Sequence, residues 1–205
     1  MAYRRKDAYY RRAKREGFRS RASYKLSEID ARFRIMRRGD TVIDLGAAPG
    51  GWSQVAVAAV GPGNVVAVDR RPMEPIEGVR FLQMDVFTPE LIAEIAASGM
   101  ADLVLSDMAP DITGAYSMDH ARSVHLAERV LDLLPSLLRP GGRAVVKVFQ
   151  GDLFEDLLAR YRSAFRRVRC FSPRASRRSS SETYMICLGF RGAASKAGGD
   201  GGEGG

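Results

Sequence analysis

Cysteine, histidine and tryptophan are scarce in this chain of 205 residues, which holds two, two and one of them. Cys170 and Cys187, with no CxxC pair, give little support to a disulfide framework or a thiolate zinc site. Two buried, reduced thiols in a cytoplasmic protein are expected instead. His120 and His125 stand near a helix start with no further ligand at suitable spacing, so they do not read as a metal pair. No run of about 18 apolar residues occurs, and no membrane span is expected. The opening Met1-Ala-Tyr-Arg-Arg-Lys6 lacks the apolar core of a signal peptide, which argues against export. What remains, 45% hydrophobic and 27% charged residues, suits one globular domain with a full core.

The net charge of +8 is informative through its placement. Residues 1–40 hold 14 Lys/Arg against 5 Asp/Glu, residues 41–159 hold 8 against 16, and residues 160–191 hold 9 against 1. Two basic blocks thus bracket an acidic middle, where a merely solvated surface would mix the signs. In the first block the cations alternate with Tyr3, Tyr9, Tyr10, Phe18 and Tyr24. Cations follow phosphates and aromatic rings stack on bases, so a nucleic-acid partner is favoured over an idle basic tail.

After this arm, Arg21 to Phe33 reads as an amphipathic helix. Short runs rich in Val, Ile and Leu follow at Thr41–Leu45, Val65–Asp69, Arg80–Met84, Ala101–Ser106 and Arg143–Phe149. Between them Trp52–Val60, Pro89–Ala97, Ser123–Leu138 and Leu153–Tyr161 read as helices. Alternation of this kind predicts an α/β fold, a mostly parallel sheet with helices on both faces. Arg167–Phe171 and Thr183–Phe190 follow with no room for a crossover helix, which predicts an antiparallel strand near the C-terminus. The organisation expected is a flexible basic RNA-binding arm over 1–18, a catalytic domain over 19–191, and a disordered Gly-rich tail over 192–205.

Open parallel sheets bind ligands at the carboxyl ends of their strands. The first strand ends in Asp44-Leu-Gly-Ala-Ala-Pro-Gly50-Gly-Trp52. The glycines allow a tight turn and close approach of a ligand. The pattern is not the dinucleotide fingerprint G-x-G-x-x-G, and Pro49 removes one amide that a pyrophosphate would use. A cofactor without phosphates fits better, which points to S-adenosylmethionine. Asp69 at the end of the second strand suits ribose hydroxyls, and Asp85 after the third suits an adenine amino group. Any one of these acids reads as a helix cap or turn residue, whereas three in register behind a glycine loop read as a ligand site.

The fourth strand leads into Ser106-Asp-Met-Ala-Pro110 rather than the Asn/Asp-Pro-Pro-aromatic loop of enzymes that methylate exocyclic amines. The fifth carries Lys147 inside an apolar run, where a lone lysine usually snorkels from an edge. Close to Asp107 at the end of a central strand, it becomes a candidate functional group.

These segments resemble the FtsJ/RrmJ (RlmE) family of ribosomal RNA 2′-O-methyltransferases. The resemblance rests on Arg19-Ser-Arg-Ala-Ser-Tyr-Lys25-Leu26, Asp44 to Gln54, Ser106 to Pro110, Val146-Lys-Val-Phe-Gln-Gly151, Ser176-Arg177 and Glu182-Thr-Tyr184. It runs from about Tyr9 to Phe190, departing in the Gly-rich tail and at Ser179–Ser181. It implies a Lys-Asp-Lys-Glu tetrad of Lys25, Asp107, Lys147 and Glu182. It also implies that Gly50, Trp52, Asp69, Asp85 and Asp107 contact S-adenosylmethionine, and that no metal takes part. The implied substrate is a uridine in the A-loop of 23S ribosomal RNA, presented by the large subunit to a monomeric enzyme.

The chemistry accounts for such a tetrad. A ribose hydroxyl is a poor nucleophile and must be aligned with the methyl carbon while losing its proton. Lys147 is the candidate base, on condition that burial and the second cation, Lys25, favour its neutral amine. Asp107 would orient it and Glu182 would hold Lys25. In the rival view the lysine only steers the hydroxyl and solvent takes the proton. A transfer-RNA or cap ribose methyltransferase and a non-catalytic ribosome-assembly factor are the alternatives. A dinucleotide oxidoreductase is disfavoured by the glycine loop.

Overall fold

The structure is a computed structural model that describes residues 8–176 and 181–192. The expected disordered tail, Gly192 apart, lies outside the described residues, as do the first seven residues of the arm, Arg177, Ser179 and Ser180.

Seven strands form one sheet: β1 (Val42–Leu45), β2 (Val65–Asp69), β3 (Val79–Gln83), β4 (Ala101–Ser106), β5 (Leu138–Phe149), β6 (Phe165–Phe171) and β7 (Glu182–Phe190). Their spatial order is β3-β2-β1-β4-β5-β7-β6. The first five strands pair in parallel, while β7 lies antiparallel to both β5 and β6. The predicted mostly parallel sheet with one reversed strand near the C-terminus is therefore the fold observed. β1 and β2 are buried at every position, the mark of central strands covered on both faces. β3 and β6, at the two edges, expose about every second residue.

The helices are α1 (Ala8–Arg15), α2 (Ala22–Phe33), α3 (Gly51–Val60), α4 (Leu91–Ala96), α5 (Tyr116–Leu137) and α6 (Phe154–Ala164). Two core clusters divide them between the faces. Leu26, Ile29, Trp52, Ala56 and Val60 of α2 and α3 pack on one side of the sheet. Leu91, Ile95, Val130, Leu134, Leu157 and Tyr161 of α4, α5 and α6 pack on the other.

Three expectations need adjustment. The arm is helical from Ala8 to Arg15 and docks rather than floating free over this stretch: Ala13 is buried, and Tyr9 and Phe18 pack against Tyr24 of α2. Helix α5 starts seven residues before the expected Ser123, because its first turns are fixed by buried polar side chains (Asp119, His120 and Ser123) and not by apolar periodicity. Cys187 is buried as expected, but Cys170 is exposed, since it lies near the end of the edge strand β6, which no further strand covers.

Candidate active site

Between β1 and β4 the strand order changes direction, and a cleft of about 730 Å³ opens at the carboxyl ends there. Its wall includes Gly46 to Pro49, Gly51, Trp52, Asp69, Met84 to Phe87 and Asp107 to Asp111. Gly46 has φ +77°, and a Cβ there would collide with the side chain of Met108. The loops after β1 and β4 thus press together because this position carries no side chain. Gly50 also has positive φ, +105°, but faces Met73, Ile76 and Arg19 rather than the cleft.

The acids behind this loop fall as the strand ends dictate. Asp69 accepts hydrogen bonds from the amides of Ala48 (2.9 Å) and Arg71 (2.8 Å), tying the glycine loop to the end of β2. Asp85 accepts from the amide of Phe87 at 3.0 Å. Both line the cleft, and a carboxylate has more acceptor sites than these bonds use.

On the other side of Asp107 a second set of side chains converges. Glu182 pairs with Lys25 at 2.6 Å, and Lys25 Nζ donates to the Tyr184 hydroxyl at 3.2 Å. Tyr184 donates to Asp107 Oδ1 at 2.8 Å, and Lys147 Nζ donates to the same oxygen at 2.9 Å and to the Asp107 main-chain carbonyl. Four elements supply this chain of contacts: α2, the end of β4, β5 and β7. Antiparallel pairing sets Lys147 opposite Tyr184 and Phe149 opposite Glu182. All four tetrad residues are therefore brought together, and Asp107 belongs both to this network and to the cleft wall.

Burial alone would push the Asp107 carboxyl up. The charges of Lys147 and Lys25, with the hydrogen bonds from Lys147 and Tyr184, outweigh that and hold it below the ordinary carboxylate range. The Tyr184 phenol is driven well above its ordinary value by burial, then by the negative charges of Asp107 and Glu182. It is a lasting donor to Asp107 at physiological pH.

Residues 18–190 match the family model of the FtsJ-like methyltransferases. The chain belongs to that family. Among its relatives, a protein of Methanothrix thermoacetophila named ribosomal RNA large subunit methyltransferase E is 50% identical over 188 residues, 91% of this chain and 73% of the relative. A protein of the same name in Xanthobacter autotrophicus is 47% identical over 197 residues, 93% of this chain and 78% of the relative. Among solved structures, a ribosomal RNA methyltransferase of Plasmodium falciparum superposes with a TM-score of 0.75 at 26% identity, covering 85% of this chain and all of that one.

In this FtsJ-like methyltransferase, Trp52 is chiefly a core residue that also reaches the cleft. It is 2% exposed, donates from Nε1 to the carbonyl of Ala22 at 2.9 Å, and leans on the Tyr184 ring. Two features, at Tyr184 and Arg19, escaped the sequence reading, and one of the three strand-end acids, Asp44, does not reach the cleft. Tyr184 joins the two lysines, but only the strand register reveals it. Asp44 is fully buried beneath the loop, where Ser53 donates to Oδ2 at 2.6 Å, and burial pushes its carboxyl up to about 7. Arg19 clamps two loops, donating to the carbonyls of Pro49, Glu74 and Pro75. The positive charge around Arg19 was visible in the sequence, but its carbonyl partners were not. Among the described residues no group of three or more His, Cys, Asp or Glu could hold a metal ion. No helix among them is long and apolar enough to cross a membrane.

Proposed function

We propose that this chain transfers a methyl group from S-adenosylmethionine to a ribose 2′-hydroxyl in large-subunit ribosomal RNA, a uridine of the 23S A-loop, in the cytoplasm. The observation that carries this reading is the line of contacts Glu182–Lys25–Tyr184–Asp107–Lys147, which meets the cleft at Asp107. The names of the relatives from Methanothrix thermoacetophila and Xanthobacter autotrophicus support the substrate.

The cleft suits this methyl donor. Its wall offers Ala47, Pro49, Trp52 and Met108 as apolar surface, with the carboxylates Asp69, Asp85 and Asp107 as acceptors for hydroxyl and amino groups. Of the three wall arginines, Arg70 pairs with Asp111, Arg71 donates to Ala48 and pairs with Asp69, and Arg122 lies on α5, away from the glycine loop where a dinucleotide would place its pyrophosphate. When bound, the sulfonium supplies a methyl group already activated for attack.

The residues of the chain do the remainder. In its neutral form the Lys147 amine gives both hydrogens to two oxygens of Asp107 and keeps its lone pair for the acceptor hydroxyl, which it aligns and whose proton it takes to become the ammonium. Asp107 orients that amine and faces the cationic donor. Glu182 holds Lys25, and Tyr184 keeps Lys25 and Asp107 in register. Mass spectrometry of nucleosides from large-subunit RNA tests the reading. A strain lacking this chain should lack one 2′-O-methyluridine, and restoring the chain should restore it. An unchanged ribose pattern, or loss of a base-methylated nucleoside instead, contradicts it.

A further inference from the structure

The loops beyond the carboxyl ends of β4 and β5 expose large apolar side chains beside the network. Ile112, Tyr116 and Met118 lie on the β4–α5 loop and the first turn of α5, and Leu153 lies on the β5–α6 loop, each with 46–64% of its surface exposed. Such exposure next to a charged site is a recognition feature rather than a packing one.

Of these, Tyr116 is tethered through its own side chain. Its hydroxyl donates to the carbonyl of Gln150 at 2.7 Å, three residues past Lys147. Its ring lies nearly parallel to that of His120, at 14°, with centroids 6.4 Å apart. His120 is itself locked. Nδ1 donates to the carbonyl of Phe149 at 3.0 Å, Nε2 accepts from the amide of Leu153 at 3.0 Å, and a Cβ on Gly151 would strike the imidazole. These two bonds fix the neutral tautomer with its proton on Nδ1. Asp119 fastens the loop from below, accepting from the amides of Thr113 and Gly114 and from the Thr113 hydroxyl. The Tyr116 ring, 61% exposed, is thus held at its edge by the hydroxyl and along one side by an immobile imidazole.

We infer that Tyr116 is a stacking platform for an unpaired nucleobase of the RNA, at or beside the nucleotide whose ribose reaches Lys147. The inference rests on the ribose-methylation reading above and adds how the acceptor strand is positioned. Three observations favour a base over a protein side chain. Tyr116 is hydrogen-bonded to Gln150, the residue that follows the strand carrying Lys147, so the ring stands beside the place where a hydroxyl would be presented. A ribose can be methylated only when its nucleotide is accessible, and unstacked bases then seek an aromatic face. Finally, the cations of α1, which packs against Tyr24, stand on the Lys25 side of the network. A strand held there by its phosphates and crossing Lys147 ends on Tyr116.

The test uses Tyr116→Ala, Tyr116→Leu, Tyr116→Phe and Tyr116→Trp in the full chain. The probes are large ribosomal subunits from a strain lacking the chain, and protein-free RNA prepared from them. Stacking by a single base predicts that the Ala and Leu variants lose affinity for both probes by roughly 5- to 150-fold. The Phe and Trp variants should stay within about threefold of wild type, and product binding by S-adenosylhomocysteine should be unchanged in all four. If Phe falls as far as Ala, the hydroxyl anchor to Gln150 and not the ring is what matters, and the inference is overturned. Leu retaining full affinity would reduce the contact to an apolar one and overturn it too. Loss confined to assembled subunits would assign the surface to a ribosomal protein. Wild-type enzyme that binds subunits but forms no 2′-O-methylated nucleoside would instead overturn the underlying reading.

Discussion

The Asp107 carboxylate accepts from Lys147 and Tyr184 while facing the cleft, so one side chain sets the position of the amine and the charge met by the methyl donor. Asp44, below the same loop, is its opposite: a fully buried acid raised to about 7 by burial and by the nearby charges of Asp107 and Asp69, although Ser53 donates to it. Its folded value lies above its unfolded one. Its contribution to stability is therefore fully present in acid and lost as pH rises through about 7. Asp44→Asn, which cannot ionise, should gain melting temperature relative to wild type as pH rises from about 5 to about 8, as read by thermal denaturation. A difference independent of pH would show that Asp44 does not titrate in the folded protein. At this scale the sequence revealed residue types well. Lys147 and Asp107 stood out at an apolar strand and a strand end, Lys25 and Glu182 were implied by the family resemblance alone, and the structure gathers all four. Tyr184 looked like any aromatic strand residue, because its place opposite Lys147 depends on a register that no local pattern encodes.

Among the elements, strands and helices with a clear apolar rhythm were legible to within a residue or two. β2 and β4 fall on the expected residues. The start of β5 was hidden by Arg139-Pro-Gly-Gly142, which reads as a turn and bulges from the ladder where the pairing with β4 jumps from Ala101–Leu138 to Leu103–Arg143. Helix α1 was read as a tail because its cations masked the few residues that dock it. Docked, it joins the cofactor loops only at its end, where the Gly17 carbonyl and the Arg19 amide meet Gln54 of α3. Deleting residues 1–18 removes seven Lys/Arg. Binding of ribosomal RNA, followed against salt, should weaken, with its logarithmic salt slope lower by up to about five at roughly 0.7 per single-strand phosphate contact. S-adenosylhomocysteine affinity, read by calorimetry, should change little, because the Arg19 clamp remains. Arg19→Ala should do the reverse, weakening S-adenosylhomocysteine by about fivefold for about 1 kcal/mol of lost hydrogen bonding. Equal loss of both ligands on deleting the arm would make α1 part of the cofactor site.

For the whole molecule, the charge layout and the sheet point to one arrangement. The acidic middle of the chain builds the cleft, where carboxylates serve hydroxyl and amino groups. The basic blocks at either end of the sequence meet where α2 packs near β7, beside Lys25 and Glu182. The fold class was legible because alternation of strand and helix leaves few topologies, whereas the docking of the arm and the network around Lys147 depend on contacts between distant segments. The most direct measurement is single-turnover methyl transfer from S-adenosylmethionine to large subunits lacking the modification, with the nucleoside product identified by mass spectrometry. Wild type should form a 2′-O-methylated nucleoside. Lys147→Ala should do so about 10²- to 10⁴-fold more slowly with unchanged cofactor affinity. Lys147→Arg should not recover the rate, since a guanidinium cannot accept the hydroxyl proton. Near-normal turnover in Lys147→Arg would leave the residue a steering role only, and a base-methylated product or near-normal turnover in Lys147→Ala would contradict the account.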